Sequence, residues 1–165
     1  MSKEIFVMGN VVKDKTIKLD KEYKPNTKER FYGSQSNIGG PAATAGVVCA
    51  KYGDEVTFTG TVGDDQDGID CKKTLNNYNI NTDYVVTLYN YETPNSFVVV
   101  APYGNICGRT IFSGRDKKDL VTPPRIGEIN YNCWVDGFLT DGQYPIEAKT
   151  FIDAHPETIS VIDAG

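Results

Sequence analysis

The sequence lacks most features that would place a protein in a membrane or on a nucleic acid. No apolar stretch approaches the ~20 residues that a membrane-spanning helix needs, and the N-terminus lacks the apolar segment and cleavage site of a signal peptide. Runs of Lys and Arg never exceed a pair, and the 165 residues carry a net charge of -5. Since nucleic acids and anionic membranes usually require a basic surface, we expect a cytoplasmic protein that binds neither.

The chain also has few residues that could hold a metal. The four cysteines are Cys49, Cys71, Cys107 and Cys133, and the single histidine is His155. The cysteines are far apart, form no Cys-x-x-Cys pair and have no histidine close by, a spacing that disfavours a zinc site. We expect free thiols in a reducing compartment.

Short apolar runs alternate with helical segments along much of the chain. The first run, residues 5–8, is continuously apolar and ends at Gly9-Asn10, which predicts a strand buried on both faces. Such alternation is typical of a parallel sheet covered by helices. The predicted strands are 5–8, 56–60, 83–88, 133–138 and 159–163, and the predicted helices are 42–52, 67–77 and 145–155.

Two other segments have the pattern of hairpins with one exposed face. Weak alternation at 16–19 and 30–33 flanks Pro25-Asn26, and residues 96–101 and 109–112 flank a loop at 102–105. We expect a small β-sheet flap inserted into one α/β domain. The chain stops at Asp163-Ala164-Gly165, directly after a predicted strand and before the helix that should follow, so we expect a shortened chain.

The Gly39-Gly40 pair stands directly before the first predicted helix. Two glycines there let the backbone approach a ligand closely and leave helix N–H groups free to face it. Thr44, one turn into the helix, could add a hydroxyl. A Gly-Gly turn that serves only packing is an equally weighted alternative. The segment is neither a Walker loop nor a dinucleotide-binding fingerprint.

Three segments together resemble the N-terminal signature of the ribokinase-like sugar kinases, also called the phosphofructokinase-B type. They are Gly-Gly-Pro-Ala-Ala-Thr-Ala at 39–45, Lys-Tyr-Gly at 51–53 and Val-Gly-Asp-Asp-Gln-Asp-Gly at 62–68. Residues 7–14 resemble that family's first strand, and residues 93–97, 103–104 and 109–111 resemble its lid hairpin. The resemblance covers nearly the whole chain and leans toward the ketohexokinase branch.

The resemblance implies a ribokinase-like parallel sheet flanked by helices, with a small inserted β-sheet lid. Residues 1–165 would form this α/β domain without the C-terminal part of the fold, and the lid segments would span about 13–36 and 93–113.

It also assigns substrate-binding roles. Asp14 matches the carboxylate that binds sugar hydroxyls, and an ionised carboxylate suits a vicinal diol because it accepts two hydrogen bonds; the alternative is a solvated loop Asp. Gly39 and Gly40 match the glycines against which the sugar lies. Thr44 stands where the family commonly has an Asn, a departure that leaves the sugar's identity open. Asn10 would line the pocket floor.

Several further residues are weaker candidates. Arg109 at the lid end either approaches a charged group of the substrate or is an exposed lid arginine. Asn37 precedes the glycines. Two carboxylates, Asp136 and Asp163, would follow strands and either face the site or form turns. A structural role, capping the following helix, is favoured for Asp64-Asp65.

The family implies transfer of the ATP γ-phosphoryl group to a sugar hydroxyl, with Mg²⁺. Its general base lies in a Gly-Ala-Gly-Asp segment, which these 165 residues do not contain. We therefore expect no catalytic residue and no bound cofactor here, and a chain that supplies sugar-binding residues and the lid but is inactive alone. The alternatives are a non-catalytic sugar-binding module that dimerises through its lid strands and a nucleoside kinase of the same superfamily.

Overall fold

The computed structural model describes residues 2–114 and 134–163, which form nine β-strands and three α-helices. No helix in these two ranges is both long and apolar enough to cross a membrane. In chain order the elements are β1 (Glu4–Met8), β2 (Val12–Lys18), β3 (Ser34–Gly39), α1 (Pro41–Lys51), β4 (Glu55–Gly63), α2 (Gln66–Asn77), β5 (Asn81–Leu88), β6 (Asn95–Tyr103), β7 (Ile106–Gly114), β8 (Gly137–Thr140), α3 (Pro145–Ala154) and β9 (Ile159–Ile162).

Five strands form a parallel sheet in the order β5-β4-β1-β8-β9. Successive side chains of β1 face opposite sides: Val7 packs with residues of α1 and α2, whereas Phe6 and Met8 pack with residues of α3. On the α3 side the ring centres of Phe6, Phe138 and Phe151 lie 4.5 to 5.9 Å apart. Helices thus cover both faces of a parallel sheet, which confirms the predicted α/β fold class.

The other four strands form a small mixed sheet, here called the lid, in the order β3-β2-β6-β7. Its central pair, β2 and β6, is parallel, and both outer pairs are antiparallel. The predicted hairpin is confirmed as β6 and β7, but its loop is the two-residue turn Gly104-Asn105 rather than the longer 102–105. Gly104 has a φ of 58°, the left-handed conformation that such tight hairpin turns require.

One lid strand lies elsewhere than the sequence pattern predicts. Residues 30–33 form no strand, and the partner of β2 is β3, the segment Ser34–Gly39. This segment is polar and mostly exposed at the edge of the lid. It has no buried apolar face, so hydrophobic alternation could not reveal it.

The strand predicted at 133–138 is β8, Gly137–Thr140, and Cys133 falls outside the described residues. Asp136 therefore precedes the strand and lies at its amino end, so the interpretation of Asp136 as a pocket-wall carboxylate is wrong. Its carboxylate accepts hydrogen bonds from Lys3 Nζ at 2.7 Å and from the Glu4 backbone N–H at 2.9 Å. The Lys3 hydrogen bond lowers the pKa of Asp136. This carboxylate fastens β8 to the start of β1.

Asp65 joins the start of α2 to the segment that leads into β6. As the N-cap residue of α2 it accepts a hydrogen bond from the Gly68 backbone N–H at 2.8 Å. It also accepts from Thr93, from the backbone N–H at 2.9 Å and from Oγ1 at 2.6 Å. Burial raises the pKa of Asp65, but the hydrogen bonds from Thr93 and Gly68 outweigh burial, and the pKa lies below its ordinary value of 3.8. The capping role predicted for Asp64-Asp65 is confirmed for Asp65; the N-cap residue is not Asp64.

We predict that Asp65→Ala lowers the free energy of unfolding by about 1–2 kcal/mol near neutral pH, because the helix loses its cap. A carboxylate with a lowered pKa stabilises the fold above its ordinary pKa, and this stability is lost as the pH falls through the folded-state pKa. The difference between wild type and variant should therefore shrink below about pH 4. Urea unfolding across this pH range measures it. Asp64→Ala is the control, since Asp64 is exposed and accepts a hydrogen bond from the Asn90 N–H at 3.1 Å. Equal losses in both variants would contradict the assignment.

Candidate functional site

The candidate site lies where the base of the lid meets the carboxyl ends of β1 and β8 and the start of α1. β1 ends at Met8 and continues through Gly9-Asn10 into β2, while β3 runs through Gly39-Gly40 into α1. In α/β proteins, ligands bind outside the carboxyl ends of parallel strands. The topology therefore brings lid and core residues together at one edge of the main sheet.

Asp14 is held in the middle of the lid by both neighbouring strands. In the register of the lid it lies between Asn37 on β3 and Ser96 on β6. Ser96 is buried, with 4% of its surface exposed, and its Oγ donates a hydrogen bond of 2.5 Å to Asp14 Oδ1. The other oxygen, Oδ2, lies against Gly39, where a Cβ atom would collide with it. Asp14 is therefore an oriented, half-buried carboxylate and not a solvated loop residue.

Glycine is also required at position 40, where the Asn10 backbone comes close to the chain. Its φ is 92°, a conformation that L side chains rarely adopt, and a Cβ there would lie 2.6 Å from the Asn10 carbonyl oxygen. Gly40 is the N-cap residue of α1, and its carbonyl accepts from the Thr44 N–H at 3.0 Å. The two glycines thus let Asp14 and Asn10 approach the chain where α1 begins, and four predicted site residues (Asn10, Asp14, Gly39 and Gly40) come together.

Asp141 is a site residue that the sequence interpretation missed. It follows β8 directly, and its Oδ2 accepts a hydrogen bond of 2.8 Å from the Asn10 backbone N–H. Oδ1 accepts from the Gln143 N–H at 3.2 Å. Burial raises the pKa of Asp141, and the hydrogen bonds from the Asn10, Gln143 and Ala42 backbones only partly oppose this. The available signal was Asp141-Gly142, a turn dipeptide after the buried strand, but placing the strand end at 138 concealed it.

Arg109 lies apart from Asp14. It pairs with Val100, four positions along β6 from Ser96, which is about 13 Å along the strand. There Arg109 lines a separate open cavity of ≈ 480 Å³, together with the outer ends of β6 and β7 and with Glu22, Tyr23 and Pro25. Tyr23 Oη closes one wall by donating to Thr110 Oγ1 at 3.1 Å. The structure thus does not bring Arg109 to the other predicted site residues.

The remaining candidates lie next to the site or farther along the same edge of the main sheet. Thr44 is exposed, one turn into α1, and Asn37 is exposed beside Asp14. The backbone N–H of Asp163 donates to the Thr140 carbonyl at 2.9 Å, so Asp163 ends β9 at the same edge of the sheet as Asp141. Across the two described ranges, no group of three or more His, Cys, Asp or Glu side chains is arranged to hold a metal ion.

Residues 2–111 match the profile of the family described as "pfkB family carbohydrate kinase". The chain belongs to this family. The match includes most of the lid, the two glycines and Asp14, and it confirms the resemblance inferred from the sequence motifs.

Solved structures share the fold at low sequence identity. A ribokinase of Arabidopsis thaliana, complexed with ribose and ATP, is 18% identical with a TM-score of 0.72, and the match covers 100% of this chain and 54% of that one. A carbohydrate kinase of Agrobacterium tumefaciens is 19% identical with a TM-score of 0.75, covering 97% and 53%. A nucleoside kinase of Methanocaldococcus jannaschii is 18% identical with a TM-score of 0.71, covering 98% and 53%. This pfkB-family chain thus has the ribokinase-like fold and spans about half the length of these proteins.

We predict that Gly39→Ala displaces the Asp14 carboxylate, because the added Cβ would collide with Asp14 Oδ2. Overpacking of this kind costs about 1–3 kcal/mol of unfolding free energy. The resonances of Asp14 and Ser96 in a heteronuclear NMR spectrum should shift. Gly46→Ala in α1 is the control, since its Cβ would find its nearest neighbours at an ordinary 3.6 Å. Unchanged Asp14 and Ser96 resonances in Gly39→Ala would contradict the prediction.

Proposed function

We propose that this chain forms the sugar-binding part and the lid of a carbohydrate kinase that transfers the γ-phosphoryl group of ATP to a sugar hydroxyl. The observation that carries this proposal is the Asp14 carboxylate, which Ser96 orients beside the Gly39-Gly40 backbone. Family membership supports the reaction class, and the arrangement of acceptors supports a polyol as the ligand.

The site presents hydrogen-bond acceptors to the hydroxyl groups of the ligand. Asp14 retains acceptor capacity beyond the bond from Ser96, since each carboxylate oxygen has two lone pairs. Asp141 adds a second carboxylate next to Asn10. A carboxylate accepts charge-assisted hydrogen bonds, which are stronger than neutral ones. Because Asp14 belongs to the lid and Asp141 to the core, a sugar that binds both would join the two parts.

We assign no catalytic residue to these 165 residues. Phosphoryl transfer depends on positioning and on stabilisation of charge at the transferred group. The Gly-Ala-Gly-Asp segment that would carry the base and the anion hole is not in the sequence. The full-length kinase would use ATP and Mg²⁺, and this cytoplasmic chain alone would be inactive and would act as a sugar-binding module. No step is assigned through Mg²⁺, since the described residues offer no cluster for it.

A nucleoside is the second candidate acceptor. The nucleoside kinase of M. jannaschii has the same fold over 98% of this chain. Thr44, which replaces the family's usual Asn, is exposed on the first turn of α1, where it can contact either class of acceptor.

We predict that Asp14→Ala weakens sugar binding about 5- to 150-fold, corresponding to the ~1–3 kcal/mol lost with hydrogen bonds to a charged group. Isothermal titration calorimetry of this chain with D-ribose, D-fructose and adenosine measures the affinities and separates the two acceptor classes. Asp20→Ala, at an exposed position, is the control. Equal affinity for wild type and Asp14→Ala would refute the role of Asp14, and a wild type that binds none of the three at millimolar concentration would refute the sugar pocket.

We also propose that the chain forms a homodimer through the lid. β7 is an edge strand of the lid, and its side chains Ile106, Ile111 and Phe112 are 67%, 51% and 54% exposed. An exposed apolar edge strand pairs readily with a second copy, and a two-fold axis would place the same edge on both sides of the interface.

We predict that Ile111→Lys shifts the chain from dimer to monomer, because a charge at this edge opposes strand pairing. Sedimentation velocity measures the change. Ile159→Lys on β9, the edge strand of the main sheet, is the control, since Ile159 is 73% exposed. A wild-type monomer, or a dimer that only Ile159→Lys dissociates, would show that the lid is not the interface.

A further inference from the structure

The strand that carries Asp14 alternates basic and acidic residues as Lys13-Asp14-Lys15. Since successive side chains of a strand face opposite sides, Asp14 faces the candidate site and both lysines face away from it. Lys13 Nζ lies 3.4 Å from Asp70 Oδ2, and Lys15 Nζ lies 2.9 Å from Asp67 Oδ2. Both carboxylates belong to α2. The lid strand is therefore attached to a core helix at the two residues that flank Asp14.

The two ion pairs match in spacing. Asp67 and Asp70 are three residues apart and so lie on one face of the helix, while Lys13 and Lys15 are two residues apart on one face of the strand, about 7 Å. The Lys13 side chain is only 9% exposed, and a buried ammonium group is costly without a partner. Gln66 Nε2 orients Asp70 by donating to Oδ1 at 2.9 Å.

The second strand that holds the Asp14 carboxylate is attached to the same helix. Asp65 at the start of α2 binds Thr93, three residues before Ser96. The next residue, Pro94, accepts a hydrogen bond of 2.8 Å from the Lys13 backbone N–H at its carbonyl. Both lid strands are therefore bonded to α2 and to each other. Thr93 binds Asp65, Lys13 pairs with Asp70, and the Lys13–Pro94 hydrogen bond connects the two strands.

We propose that Lys13 and Lys15 are positioning residues: their ion pairs with α2 hold β2 in the place where Asp14 meets Ser96 and Gly39. The first turns of α2 thereby set how the lid presents its carboxylate. The expected change in sugar affinity rests on the proposed role of Asp14 in sugar binding. The expected change in the position of β2 does not depend on that role.

Charge reversal at the more exposed pair tests this proposal. Lys15 and Asp67 are 41% and 24% exposed in their side chains, so Lys15→Glu is compatible with folding. Lys15→Glu should accelerate amide hydrogen exchange in β2 and β6 and weaken D-ribose or D-fructose binding, each by about five-fold, the strength of such a pair. The double variant Lys15→Glu with Asp67→Lys restores the pair in the opposite sense and should recover both values.

The control is Lys149→Glu, which breaks the ion pair of Lys149 with Asp153 on α3, at 2.6 Å. A merely structural role of Lys15 would accelerate exchange in β1 and β4 as much as in β2 and β6. The proposal is overturned if Lys15→Glu behaves like the control, if exchange rises equally in both sheets, or if the charge swap restores nothing. If instead Asp14→Ala leaves sugar affinity unchanged, the proposed function fails, and exchange in β2 and β6 alone decides the positioning role.

Discussion

Asp14 and position 39 compete for one space: the carboxylate oxygen Oδ2 lies where a side chain on β3 would begin, so only glycine fits there. Directly after it, the left-handed backbone of Gly40 turns the chain from the lid into α1, with the Asn10 carbonyl on the inner side of the turn. The lid strand β3, the Asp14 carboxylate and the start of α1 are therefore in direct contact. The packing of the Gly-Gly turn and the binding role proposed for it depend on the same contact with Asp14.

Three carboxylates near the base of the lid have different roles because their burial and hydrogen-bond partners differ. Asp65 receives hydrogen bonds that lower its pKa despite burial, and it serves as a structural link between α2 and the lid. Asp141 is half-buried at the end of β8, where burial outweighs the backbone N–H groups and raises its pKa. Asp14 belongs to a strand of the lid and has Ser96 as partner. A carboxylate with a shifted pKa is a candidate for a functional residue. A carboxylate whose oxygens are all engaged by groups of the fold, such as Asp65, serves instead to hold the structure together.

The elements that could be predicted from the sequence are those with a recognisable apolar pattern. The strands of the main sheet and the helices are continuous or periodic apolar segments, and their order identified the fold class. β3 escaped prediction because a polar edge strand has no apolar face, and its register is defined by hydrogen bonds to β2 instead. The predicted strand 133–138 begins and ends before β8 itself. This error places Asp136 at the carboxyl end of the strand, where Asp141 in fact lies. Distance along the lid, which separates Arg109 from Asp14, follows from pairing register and is not visible in composition or motif.

Some of the residues in the recognised motifs are constrained by the fold itself. Gly39, Gly40 and Asp65 are each determined by a contact within the fold: the close approach of Asp14, the left-handed turn beside Asn10, and the cap of α2. Thr44 differs: it is exposed on the first turn of α1, and no packing contact of the fold determines its side chain. A preference for one acceptor over another must come from contacts made only with the ligand. Under the proposed function, exposed positions beside the site such as Thr44 are therefore where a choice between sugar and nucleoside would be made.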